Sequence, residues 1–207
     1  MSPLGYISGD RTIVLRGLVV WYAGLWGLLA IDPYDRQDWL LENLLALTAV
    51  TTLLLTYRRF QFSTFSYVLM TTFLTLHAVG AHYTYAEVPF GFWLQGTFDL
   101  VRNPFDRIVH FGYGFLLVLP LRELLMRLGG IKGIWSYYLP VSGMVAQSGV
   151  FEMLEALVAT VVSPELGTAY LGTQGDEWDA QKDMAAASAG AVIMILAQGF
   201  TRQYATR

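Results

Sequence analysis

Residues 133–162, GIWSYYLPVSGMVAQSGVFEMLEALVATVV, decide the class of this protein. Glu152 and Glu155 are the only charged side chains in the stretch. It is too long and continuous for a barrel strand, and as a helix it is long enough to cross a hydrocarbon core about 30 Å thick. Similar apolar stretches fall at about residues 13–31, 44–57, 62–85, 108–121 and 184–200, each approaching a bilayer core once its polar flanking turns are included. The breaks between them have physical causes: Asp32-Pro33-Tyr34-Asp35, Arg58-Arg59, a segment ending in Asn103-Pro104, Gly129-Gly130, and Ser163-Pro164 leading into Gly172 and Gly175. The expectation is an all-α polytopic membrane bundle of about six transmembrane helices, forming a single integral domain over 1–207.

Composition agrees. Of 207 residues, 55% are hydrophobic and 14% charged, against roughly 25% charged in soluble domains; the mean hydropathy is +0.45. Without cysteine there is neither a disulfide framework nor a thiolate metal site. No basic cluster points to nucleic acid. Arg11 and Arg16 precede an apolar run that resembles a secretory signal, but the run to Ile31 is long, rich in Trp and Tyr, and lacks a small-x-small cleavage pattern before Asp32-Pro33. It is expected to be the first span.

Basic residues set the expected orientation. Arg11, Arg16, Arg58, Arg59, Arg122, Arg127, Lys132, Arg202 and Arg207 fall on one side, and Arg36, Arg102, Arg107 and Lys182 on the other. The nine-to-four split predicts that both termini are cytoplasmic.

In that topology the extracytoplasmic layer is acidic and holds all three histidines. The third predicted span ends with His77 and His82, and the fourth opens with Asp106, Arg107 and His110. The fifth carries Glu152 and Glu155, and the sixth opens with Asp176, Asp179 and Asp183. Asp106 and His110 share a helix face, as do Glu152 and Glu155. His77 and His82, five apart, point about 140° from each other on a regular helix. The two glutamates lie about 10–15 Å inside the end of their helix, where an ionisable group costs about 2.5–3.5 kcal/mol on insertion scales and usually faces a cavity. So many carboxylates need protons, Arg107, Lys182 or bound cations for compensation.

A mixed His/carboxylate shell suits zinc, iron or manganese, which would polarise a carbonyl or phosphoryl group or activate water. The expected ligands are His77, His82, Asp106, His110 and a subset of Asp176, Asp179 and Asp183. Glu152 or Glu155 would be the base, and Arg107 the holder of an anionic head group. The expected activity is hydrolysis or group transfer on a membrane lipid or other amphiphile. HExxH, GxSxG and Walker signatures are absent from the sequence. A proton or cation relay is the alternative, followed by a non-catalytic scaffold. Asp32, Asp35, Asp38 and Glu42 are expected to form a solvated connection, and residues 87–104 a re-entrant or interfacial lid. Oligomeric state is not read from the sequence.

The segments FLTLHAVGAHYTYAEVPFG, NPFDRIVHFGYG and LGTQGDEWDAQKDM resemble the YjdF-like family of bacterial inner-membrane proteins, with similarity over nearly the whole chain. The likeness implies a multi-pass protein of the bacterial plasma membrane and brings no reaction with it. FDRIVHFGYGFLL is also loosely similar to the Asp-x-x-x-His-Phe segment of VanZ-like membrane proteins.

Overall fold

The computed structural model describes residues 7–205, with side chains over 10–198. Arg207 and the side chain of Arg202, two of the basic residues used for orientation, lie outside this description. Among the described residues there are eight helices and no strand: α1 Ile7–Leu29, α2 Arg36–Thr56, α3 Thr64–His82, α4 Pro89–Phe98, α5 Phe105–Arg127, α6 Trp135–Val161, α7 Pro164–Leu171 and α8 Asp179–Ala205. Over their described residues, five of them, α1, α2, α3, α5 and α6, are long and apolar enough to cross a membrane. The sixth long helix, α8, is packed along α5.

The long helices alternate in direction, as bonds at the two ends of the bundle record. At one end Tyr34 N–H donates to His82 O at 2.9 Å, and Arg102 and Arg107 of the α5 entry meet Asp179 of α8. At the other, Arg11 donates to Phe62 O at 2.9 Å and Arg127 to Gln61 O at 2.7 Å, while buried Arg122 reaches Ser136 and Gln198. The carboxylate-rich and arginine-rich layers are therefore opposite ends of one bundle.

α5 is the hub, packed on α3, α6 and α8. Its contact with α8 is backbone to backbone, because a Cβ on Gly114 would stand 1.8 Å from Ala187 O and one on Gly190 would stand 2.2 Å from Phe111 O. Small residues permit this approach, the usual means by which helices associate where lipid is the solvent. Ala187 and Ala191 complete the seam with no exposed surface.

One element differs from the sequence expectation. α2 begins eight residues before the apolar run at Leu44, because Asp35 caps it, accepting from Gln37 N–H at 2.8 Å and Asp38 N–H at 3.0 Å. Asp38 and Glu42 are thus helical and buried, at 0% and 5% exposure, and not a solvated connection. The 87–104 segment contains α4, which exposes Phe90, Phe92, Trp93 and Phe98. Asn103 ties it down, donating to Ala86 O at 2.9 Å and Val88 O at 3.0 Å, and Gly91 packs directly on that amide.

Candidate functional site

The acidic end of α5 opens at Pro104, and its first turns carry Asp106, Arg107 and His110 toward α6 and α8. His110 Nε2 lies 3.5 Å from Asp106 Oδ1, and Nδ1 lies 3.7 Å from Glu152 Oε1 of α6. Asp106, His110 and Asp183 each offer a ligand atom within 4.8 Å of the others, a spacing that could hold a metal ion. Glu155, one turn beyond Glu152, is buried within electrostatic reach of Glu42, Asp106 and Asp183. Carboxylates from α5, α6 and α8 therefore converge on one imidazole.

The two arginines have fixed work. Arg107 lies 2.6 Å from Asp183 Oδ1 and 2.6 Å from Asp179 Oδ1, and reaches Asp176 at 3.2 Å. Arg102 also bonds Asp179 Oδ1, and donates to Thr173 O at 2.9 Å and Gly172 O at 3.3 Å. Asp179 is thereby clamped by two guanidiniums, and Arg107 is occupied by three carboxylates. Asp176 sits at the rim, where the Lys182 ammonium and the Trp178 N–H hold its carboxyl below the usual range.

His77 and His82, expected together, are separated. His77 faces inward, its Nδ1 2.5 Å from the Tyr85 hydroxyl, whereas His82 Nδ1 lies 2.7 Å from Leu29 O and ties α3 to α1. The reason is the roughly 140° between positions five apart on a regular helix. Tyr85 reaches His77 because Thr84 and Tyr85 turn through left-handed backbone, φ 49° and 54°, and Gly80 leaves room for the ring. Residues without glycine's freedom hold such angles at a cost of about 1–3 kcal/mol each. Burial, reinforced by Glu42, Asp106 and Glu155, raises the Tyr85 phenol well above its ordinary value, so it meets His77 as a neutral hydroxyl.

Beneath these groups lies a cavity of about 730 Å³. Glu42, His77, Tyr85, Asp106, His110 and Glu155 line its polar end, and Phe73, Leu117, Met144, Leu53 and Leu124 continue it toward the arginine-rich end. Ser148 also lines it, and its hydroxyl, buried away from the cavity surface, makes no hydrogen bond.

Sequence reasoning missed Asp38, Glu42, Tyr85 and Arg102. The signal for the first two was present: Asp38, Glu42 and Ala46 recur every four residues, a stripe that becomes one buried face once the helix starts at Arg36.

No solved structure matches the chain. The inner membrane protein YjdF of Escherichia coli (strain K12) is 35% identical over 176 residues, 84% of either chain. That span takes in most of the bundle, and the family described as predicted membrane protein (DUF2238) matches residues 14–203, from within α1 to within α8. With five helices apolar enough to cross a bilayer and an inner-membrane relative of equal extent, this is a multi-pass inner-membrane protein, and it belongs to the DUF2238 family.

Proposed function

We propose that this protein is a metal-dependent hydrolase or transferase acting on a membrane amphiphile, with its acidic end on the extracytoplasmic side and both termini in the cytoplasm. One observation carries the reading: Asp106, His110 and Asp183 converge to within 4.8 Å, and Asp106 and His110 line the polar end of a largely apolar cavity. Carboxylate and imidazole donors suit zinc, iron or manganese. A bound ion would polarise a phosphoryl or carboxyl ester and lower the pKa of water. Glu152, beside His110, is placed to take the proton of the attacking water and return it to the departing alkoxide. Asp179, clamped by both arginines, positions α8 against α5 and leaves Asp183 facing the site.

The deep half of the cavity, lined by Leu53, Phe73, Leu117 and Leu124, favours a site over a proton or cation conduit. A relay needs titratable groups along its length.

The test is metal content by mass spectrometry of detergent-purified protein, for the parent and for His110→Ala and Asp106→Asn. A transition metal near one equivalent, lost in both variants, supports the centre. Protein that stays metal-free after exposure to zinc, iron and manganese refutes it.

A further inference from the structure

The cavity has walls of unequal quality. α6 packs on α5, α7 and α8, while α2 takes its contacts from α3 and α7, so the seam between α2 and α6 is the weakly joined one. The residues along that seam belong to two surfaces at once. Leu45, Thr48 and Ala49 of α2, and Ala146, Val150 and Leu154 of α6, line the cavity and are also exposed. Met144 and Ala46 line the same cavity and are buried, so the exposed lining positions mark the side on which it opens. The opening therefore runs along two membrane-crossing helices, where the medium outside is hydrocarbon.

We propose that the α2–α6 seam is a lateral slot that admits one hydrocarbon tail of a membrane lipid from the surrounding bilayer and holds the lipid's head-group end among Glu42, Asp106, His110 and Glu155. Two observations fix the occupant. The lining from Glu42 to Leu53 descends about 16 Å at the helical rise, a depth that suits a single extended tail of roughly a dozen carbons. The volume of about 730 Å³ lies within the range of ligand sites that enclose most of a small molecule. Both arginines at the polar end are engaged by aspartates, so an anionic head would be met by the bound cation and not by Arg107. The slot deepens the reading of the site as one that acts on an amphiphile and rests on it for the role of the head group.

The experiment is photolabelling of the full chain in vesicles of phosphatidylethanolamine and phosphatidylglycerol carrying a phospholipid with a tail diazirine. Adducts are then located by peptide mass spectrometry. Met144 lines the cavity and is 1% exposed, so lipid bordering the outside of the bundle does not reach it. Adducts at Met144 and Phe73 are expected, with a several-fold loss at both in Ala49→Trp and in Ala146→Trp. Leu55→Trp, on an outward position 77% exposed, should leave them unchanged. Adducts confined to outward positions such as Leu55 and Val161 overturn the slot. So does loss of label from Leu45 and Leu154 as well, the pattern of a second copy closed over the seam. The unsubstituted protein's label positions are decisive even if a tryptophan variant does not fold. Metal content on the same sample separates the two ideas: label without metal leaves the slot and removes the metal centre, and metal without label does the reverse.

Discussion

Gly114→Ala is expected to damage the acidic site from a distance. A Cβ at position 114 would lie 1.8 Å from Ala187 O, whereas carbon and carbonyl oxygen approach to about 3.3 Å in close helix contacts. The α5 and α8 backbones must therefore separate by about 1.5 Å at this level, since neither atom belongs to a flexible side chain. Ala187 is one turn from Asp183, about 6 Å along the axis. The same displacement would stretch the Arg107–Asp183 pair from 2.6 Å to about 4 Å, the outer limit of an ion pair, and widen the Asp106–His110–Asp183 trio. Overpacking of this kind typically costs about 1–3 kcal/mol. The assay is thermal unfolding in detergent followed by tryptophan fluorescence, with metal content measured in parallel. Gly24→Ala serves as the control, since a Cβ there meets nothing within 4 Å and removes glycine's helix penalty of about 0.5–1 kcal/mol. A Gly114→Ala protein melting with or above Gly24→Ala, its metal content intact, would refute the argument that a close α5–α8 seam sets the site geometry.

Asp179→Asn should lower the melting temperature while retaining metal, the opposite of His110→Ala. Its cost should fall below the about 3–5 kcal/mol of a broken buried pair, because Arg107 keeps Asp176 and Asp183. Asn103→Ala strands Ala86 O, Val88 O and Phe105 N–H, so hydrogen exchange over 89–98 should accelerate while α3 remains protected. The carboxyl of Asp176 is held below its ordinary 3.8, so its stabilising contribution is full above that pH and fades as pH falls through the lower folded value. Melting curves of the parent and Asp176→Asn should accordingly diverge at neutral pH and converge in acid, by an amount that salt diminishes.

The spans were legible because lipid leaves few options: a long, nearly uncharged run must be a helix, and polar breaks must be its ends. The acidic layer was legible for the same reason, since Glu152 and Glu155 stand out against an apolar helix. Asp38 and Glu42 were not, because Pro33 and a cluster of acids read as loop until the Asp35 cap extends the helix back to Arg36. Arg102 counted only as an orienting charge; that it clamps Asp179 depends on α7 and its Gly172 cap, which bring Thr173 back toward α5. His82 was drawn into the site by composition, and helical geometry sends it to Leu29 instead.

The charged start of α8 has a bearing on how the chain is assembled. α1 is apolar enough to enter a bilayer alone, and none of its span is buried in the bundle. α8 brings Asp179, Lys182 and Asp183 with it in its first turns, ahead of its apolar stretch. It also follows α5 in the chain, so Arg102 and Arg107 are synthesised before it. The seating of its charged start therefore depends on a docking surface synthesised earlier, which makes the arginine–aspartate clamp a checkpoint in biogenesis: a chain that lacks it would be left with an unseated α8, a substrate for membrane proteolysis.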